Sequence, residues 1–217
     1  MRTIVLPDPS LVVLVGAAGA GKSTFAARHF EPAEVLSSDA FRAILTGDEA
    51  NQNATRPAFA ILHREVARRL AAGRLVVVDA TNVERHARRA LLARARAAGH
   101  PAVAIVLALP EAVVHARNAG RLGRVVDADV VAAHLERLAA AEAADAADAD
   151  GSDAYGPDAA DADGADATRG RRLFADEGFA AVHVLRAAAE VASVTIERRP
   201  TATAARDAGD PTPPSPR

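Results

Sequence analysis

Leu11-Val12-Val13-Leu14-Val15-Gly16-Ala17-Ala18-Gly19-Ala20-Gly21-Lys22-Ser23-Thr24-Phe25 decides the fold of this chain. Leu11–Val15 is an unbroken apolar run, as a strand buried on both faces of a parallel sheet requires. Glycines interrupt it, and Lys22–His29 then reads as a helix. The residues between fit G-x-x-x-x-G-K-[ST], a strand–loop–helix turn that cradles phosphates. Glycine lets backbone N–H groups approach an anion closely, and the helix start adds the positive end of its dipole. Lys22 is a compact ammonium able to bridge β- and γ-phosphates, which a planar guanidinium does poorly. Ser23 offers a hydroxyl to Mg²⁺. Gly16, Gly19, Ala20, Gly21, Lys22, Ser23 and Thr24 are therefore the expected nucleotide-binding residues.

Outward from this loop, strands and helices alternate. Glu34–Leu36 reads as a short strand and Asp39–Leu45 as a short helix. A longer helix is expected with Thr55 as its cap and Pro57 in its first turn. It carries Phe59, Leu62, Val66 and Leu70 on one face and ends near Gly73. Leu75–Val78 reads as a strand closed by Asp79, followed by a helix over Val83–Ala98 for which Asn82 is a candidate cap. Val103–Leu109 is a further strand, Glu111–Ala119 and Asp127–Ala141 are helices, Ala181–Leu185 is an inner strand and Ser193–Arg198 an edge strand. Strands separated by helices predict an α/β fold, a P-loop NTPase-type three-layer sandwich with a central parallel sheet and a helical lid.

The 217 residues suffice for one domain of ordinary size. Among the 26 basic residues Lys22 is the single lysine, and aromatics make up 3% of the chain, so the core must be built from Val, Leu, Ile and Ala. Absence of cysteine excludes disulfides, thiolate metal sites and a cysteine nucleophile. The histidines show no H-x-x-x-H spacing and no G-x-S-x-G elbow occurs. With no Trp and one Tyr, a platform of stacked aromatics for nucleic acid is not expected.

Charge is unevenly distributed. Residues 142–168 hold nine acidic side chains and no basic one, leaving the remainder with a net charge of +7. This Ala/Asp-rich insert is expected to be disordered, as is the tail from 200 to 217. Its Asp spacings do not fit an EF-hand loop. No apolar run approaches the roughly 18–20 residues that a bilayer demands, so no membrane association is expected. Pro7-Asp8-Pro9 interrupts the apolar start, and cleavage after Ala20 would split the glycine-rich loop, so a cytoplasmic location is expected rather than export.

Three further groups carry chemistry. Asp79 ends an apolar strand and so faces the ligand edge of the sheet, where it can hold Mg²⁺ directly or through water. Ser37-Ser38-Asp39-x-x-Arg42 follows the second inner strand, with Asp39 and Arg42 one helical turn apart. This pair can be a helix-capping acid with its salt bridge, or an acid for an acceptor hydroxyl with a cation for a substrate phosphate. A carboxylate is a weak base, but phosphoryl transfer runs through a loose transition state in which orientation outweighs basicity. Arg117, Arg121 and Arg124 lie between two helices with Gly120 and Gly123, as in a lid that brings cations onto a transferring phosphoryl group. The arginines at 68, 69, 85, 88, 89, 94 and 96 are expected mostly on solvated helix faces.

Gly-x4-Gly-Lys22-Ser-Thr-Phe, Glu34-Val-Leu-Ser-Ser-Asp39-Ala-Phe-Arg42 and Leu62-His63 together resemble the kinase module of bacterial polynucleotide kinase-phosphatases. So do Gly73-Arg-Leu-Val-Val-Val-Asp79-Ala-Thr-Asn82, Ala104-Ile-Val-Leu, Arg117-Asn118-x-x-Arg121 and Glu177-Gly-Phe-x-x-Val-His-Val-Leu185. The resemblance covers residues 4–141 and 173–199 and implies a kinase domain over 1–199 interrupted by the acidic insert. It implies transfer of the γ-phosphate of ATP or another NTP, with Mg²⁺, to the 5′-OH end of RNA or DNA. It further implies that Asp39 engages the hydroxyl, Arg42 the adjacent substrate phosphate, and Arg117 and Arg121 the NTP phosphates. The phosphatase and ligase modules of the full repair enzymes are absent from this sequence, which leaves open separate phosphatase or ligase partners, and a homodimer. A kinase for a small hydroxyl metabolite (a sugar, nucleoside or antibiotic) is the alternative within the same chemistry. An NTP-binding switch without an acceptor is the alternative outside it.

Overall fold

Side-chain alternation along the inner strands sorts the core into two layers. A computed structural model of the chain describes residues 2–48, 52–121, 125–150 and 173–201. In chain order these form β1 (Thr3–Asp8), β2 (Leu11–Val15), α1 (Lys22–His29), β3 (Val35–Ser37), α2 (Ser38–Thr46), α3 (Thr55–Ala71), β4 (Val76–Asp79) and α4 (Arg85–Ala97). There follow β5 (Ala102–Leu107), α5 (Glu111–Ala119), α6 (Ala128–Asp150), β6 (Ala181–Leu185), α7 (Ala188–Ser193) and β7 (Thr195–Pro200). The main sheet is parallel with strand order β3-β4-β2-β5-β6, so the strand entering the glycine-rich loop is central.

On one face Leu11, Val13 and Val15 join Val76, Val78, Ala104 and Val106 beneath Leu62, Val66 and Leu70 of α3 and Leu91, Leu92 and Ala95 of α4. On the other, Val12, Leu14, Val77, Val103 and Ile105 pack against Phe25 and Ala26 of α1. A period-2 strand buried on both sides thus accounts for the three layers. Leu62 and Leu70 are fully buried, and truncating either to Ala costs about 2–5 kcal/mol by the usual cavity penalty.

Several expectations need correction. Ala181–Leu185, expected as an inner strand, forms β6 at the edge of the main sheet, paired only with β5. The segment Ser193–Arg198, expected as an edge strand, contains β7, which is an edge strand of a separate two-stranded parallel sheet with β1, Thr3 opposite Thr195, in which Ile4 and Leu6 of β1 are buried. The start of the acidic insert, residues 142–150, is helical: α6 runs on to Asp150. Alanine is the strongest helix former, and extending an existing helix avoids the cost of a new nucleus. An ion pair from Arg186 to Glu142 fastens the first of these residues. The rest of the insert and the tail beyond 201 lie outside the described residues. Arg88 is not solvated. It is 2% exposed, donates from Nε to Glu177 at 2.8 Å, and its guanidinium lies 3.7 Å over the Phe174 ring. Thr55 also begins α3 as its first residue, with Ala54 rather than Thr55 at the cap position.

Burial drives the pKa of His63 and of His183 down to about 4, with Arg94 and Arg2 respectively adding to the effect. Their folded pKa values lie below the ordinary value of 6.5, so the stability they contribute is present above pH 6.5 and is lost as pH falls toward 4. Thermal unfolding followed from pH 7 to pH 4 is expected to show a falling Tm across that window, with His63→Asn flattening the slope. A flat profile in the wild type contradicts this assignment.

Candidate active site

The carboxyl ends of β2, β3 and β4 open into a cleft of about 660 Å³. The glycine-rich loop forms its floor. Gly19 has φ +89°, and a Cβ there would stand 2.7 Å from the Val114 carbonyl, so only glycine fits. Gly21, at φ +97°, turns the chain into α1. The Gly16 N–H donates to the Thr81 carbonyl at 3.0 Å, fastening the loop to the segment after β4.

Lys22 is 8% exposed and its ammonium donates to the carbonyls of Gly16 (2.9 Å) and Ala17 (2.8 Å). Burial lowers its pKa to about 8, against the raising fields of Asp79 and Asp39. Asp79, the last residue of β4, is 6% exposed, and burial raises its pKa although a hydrogen bond from Ser23 and the charge of Lys22 oppose the shift. The loop lysine and the strand-end acid thus lie in each other's field.

Asp39 arrives by register. Ser37 lies opposite Asp79 across the β3–β4 pair, and Ser37 Oγ caps α2 by accepting from Ala40 N–H at 3.5 Å. The Asp39 carboxylate accepts from Ser38 Oγ at 3.3 Å and pairs with Arg42. Their exposures differ: the Asp39 side chain is 38% exposed, that of Arg42 8%. The acid is therefore the open member of the pair and the cation the enclosed one, and both line the cleft together with Thr55 and Phe59. The field of Asp39 reaches both Lys22 and Asp79.

Arg117 of α5 donates to the Ala20 carbonyl at 3.3 Å, and Arg121 acts on the charges of Lys22 and Asp79, so both arginines face the loop. Leu122, Gly123 and Arg124 lie outside the described residues. Two asparagines hold this arrangement together. Asn118, 4% exposed, donates to Val126 O at 2.7 Å and accepts from Val126 N–H at 3.1 Å, closing the connection from α5 toward α6. Asn82 is not a helix cap; Glu84 occupies that position before α4. It sits at φ +49° and donates to the Leu14 carbonyl at 2.8 Å, tying β4 to β2 at the cleft edge. Neither role has a local sequence signal, because both side chains answer backbone groups supplied by other segments.

Among the described residues no group of three or more His, Asp or Glu could hold a metal ion. The Ser23–Asp79 pair still fits Mg²⁺, which binds through one or two protein oxygens with phosphate and water supplying the rest. No described helix is long and apolar enough to cross a membrane.

No curated protein matches this chain in sequence. Among solved structures it is similar to a gluconokinase from Sinorhizobium meliloti 1021, at 22% identity over 61% of this chain and 76% of that one, TM-score 0.40. It is similar to the Pnkp1/Rnl/Hen1 RNA repair complex, at 22% identity over 62% of this chain and 45% of that one, TM-score 0.49. It is similar also to the Mycobacterium tuberculosis APS kinase CysC, at 20% identity over 53% of this chain and 71% of that one, TM-score 0.42. Residues 11–143, more than half of the chain, match the AAA domain family AAA_33, and the protein belongs to this family, with its P-loop kinase-like α/β fold.

Proposed function

We propose that this chain is an Mg²⁺-dependent kinase that moves the γ-phosphate of ATP, or another nucleoside triphosphate, to the 5′-hydroxyl end of RNA or DNA. The observation that carries the reading is the Asp39–Arg42 pair, an open carboxylate beside an enclosed guanidinium in the cleft that holds Lys22. A protein that only bound or hydrolysed NTP would have no use for an acid at that place.

The loop from Gly16 to Thr24 would wrap the phosphates with backbone N–H groups, and Lys22 would exchange its two carbonyl partners for β- and γ-oxygens. Arg117 and Arg121 would neutralise the transferring group from the other side. Asp39 would accept a hydrogen bond from the acceptor hydroxyl and orient it in line. As the acceptor oxygen bonds to the γ-phosphorus, the bond from that phosphorus to the β,γ-bridging oxygen breaks. Its electron pair leaves with the nucleoside diphosphate, and the hydroxyl proton passes to Asp39. Ser23 and Asp79 would hold Mg²⁺, which supplies charge neutralisation on the phosphate oxygens when bound.

Arg42 is the group that separates a polynucleotide from a simple alcohol, because its charge suits the phosphate next to the terminal hydroxyl. The body's net charge of +7 outside residues 142–168 favours the same acceptor. Against it, Phe25 and Phe59 are the only Phe, Tyr or Trp side chains lining the cleft among the described residues, and this scarcity favours a small hydroxyl acceptor as the second reading. The two separate in a comparison of a nucleoside, its 3′-monophosphate and an oligonucleotide. Adding the 3′-phosphate is expected to raise kcat/KM about 30- to 100-fold, the worth of a charge-assisted hydrogen bond, and Arg42→Ala to erase that gain. Equal kcat/KM for nucleoside and 3′-monophosphate, or a better sugar, overturns the polynucleotide reading.

A further inference from the structure

His134 on α6 has no part in the roles assigned above, yet it lines the cleft, together with Val130 one turn before it and Val126 ahead of the helix. Its Nδ1 is buried and has no hydrogen-bond partner among the described residues. The ring lies within the field of the loop lysine. Lys22 on α1 is the charge that acts on it most strongly, followed by Arg137 on its own helix and Glu84 from the segment before α4. Arg137 and Glu84 are themselves paired, which anchors this part of α6 over the residues that follow β4.

Burial first, then Lys22 and Arg137, lower the pKa of this histidine, and Glu84 opposes them, so the ring is neutral at pH 7. A neutral imidazole has one N–H. Nδ1 is enclosed and without an acceptor, so the proton is better placed on Nε2, and because the residue lines the cleft this N–H is the one left to meet an anion there.

We propose that His134 is a further catalytic residue, its Nε2–H donating a hydrogen bond to a γ-phosphate oxygen of the bound nucleoside triphosphate. The inference rests on the nucleotide half of the function proposed above and does not depend on which acceptor the cleft takes.

The test compares His134→Leu, which fills similar space without a donor, with His134→Gln, which keeps one. Wild type and both variants are titrated calorimetrically with ADP and with the non-hydrolysable β,γ-imido analogue of ATP, in the presence of Mg²⁺. His134→Leu is expected to lose about tenfold in affinity for the triphosphate analogue and to keep its affinity for ADP, and His134→Gln to recover most of the loss. A parallel loss for both ligands means that His134 only supports packing, and no loss for either means that it meets no phosphate; each overturns the proposal. A wild-type chain that binds neither nucleotide overturns the kinase reading and this inference together. A chain that binds both but phosphorylates no oligonucleotide removes the acceptor reading alone, and the comparison of variants still decides the role of His134.

Discussion

Asp39→Ala is expected to cut transfer to a 5′-hydroxyl by about 10²- to 10⁴-fold, the range for removing a group that orients and deprotonates a nucleophile. The affinity for nucleotide should stay within about threefold, because Asp39 acts on Lys22 only through space and contributes nothing to the glycine-rich loop. The effect is larger than the basicity of a carboxylate alone suggests, since a loose transition state needs the hydroxyl held in line before it needs a strong base. Removing Asp39 also takes from the enclosed Arg42 the carboxylate it pairs with, which carries its own stability cost. Asp39→Asn separates the two effects: it keeps an acceptor for Arg42 and loses the charge. Single-turnover transfer with both variants checks the assignment, alongside thermal unfolding. Near wild-type rates in either variant would show that Asp39 is a helix-terminal acid and no more.

Lys22→Arg should be nearly as severe although the net charge of the chain is unchanged. The ammonium fits between two carbonyls at 2.9 and 2.8 Å in a site only 8% exposed. A guanidinium is larger, planar and directional, and cannot satisfy those carbonyls and still deliver a point charge to the β- and γ-oxygens. Loss of one such preorganised cation is expected to lower kcat about 10²- to 10³-fold. Burial already holds the native ammonium near a pKa of about 8, so this position tolerates little further loss of solvation or pairing. Steady-state kinetics at pH 7 and thermal unfolding of the variant check the expectation. A variant that folds and retains more than about half of the wild-type rate contradicts it.

What could be read in the sequence was whatever short-range pattern encodes. The β2–loop–α1 unit declared itself because its apolar run, its glycines and Lys22 are contiguous, and Asp79 followed because it terminates a second apolar run. Asp39 and Arg42 were visible as a pair through helical spacing. Their different exposure was not, since it depends on how α3 packs across α2. The pairing of β1 with β7 was missed because it joins opposite ends of the chain and neither strand has a long apolar run. Arg88 looked like its neighbours on an arginine-rich helix. Only the return of Phe174 and Glu177 after the acidic segment encloses it. Asn82, Asn118 and His134 were illegible for a similar reason: what each side chain meets, or fails to meet, is set by segments remote in sequence. The alanine-rich continuation of α6 was misread from composition, where helix propensity outweighed low hydrophobicity.

The fate of a labelled γ-phosphate shows which acceptor the cleft takes. The full chain is incubated with γ-labelled ATP and Mg²⁺, and 5′-hydroxyl RNA and DNA oligonucleotides are offered beside sugars and nucleosides. Label is expected on the 5′ end of an oligonucleotide and is lost with Asp39→Ala. Label on a small alcohol, or on inorganic phosphate alone, contradicts this expectation.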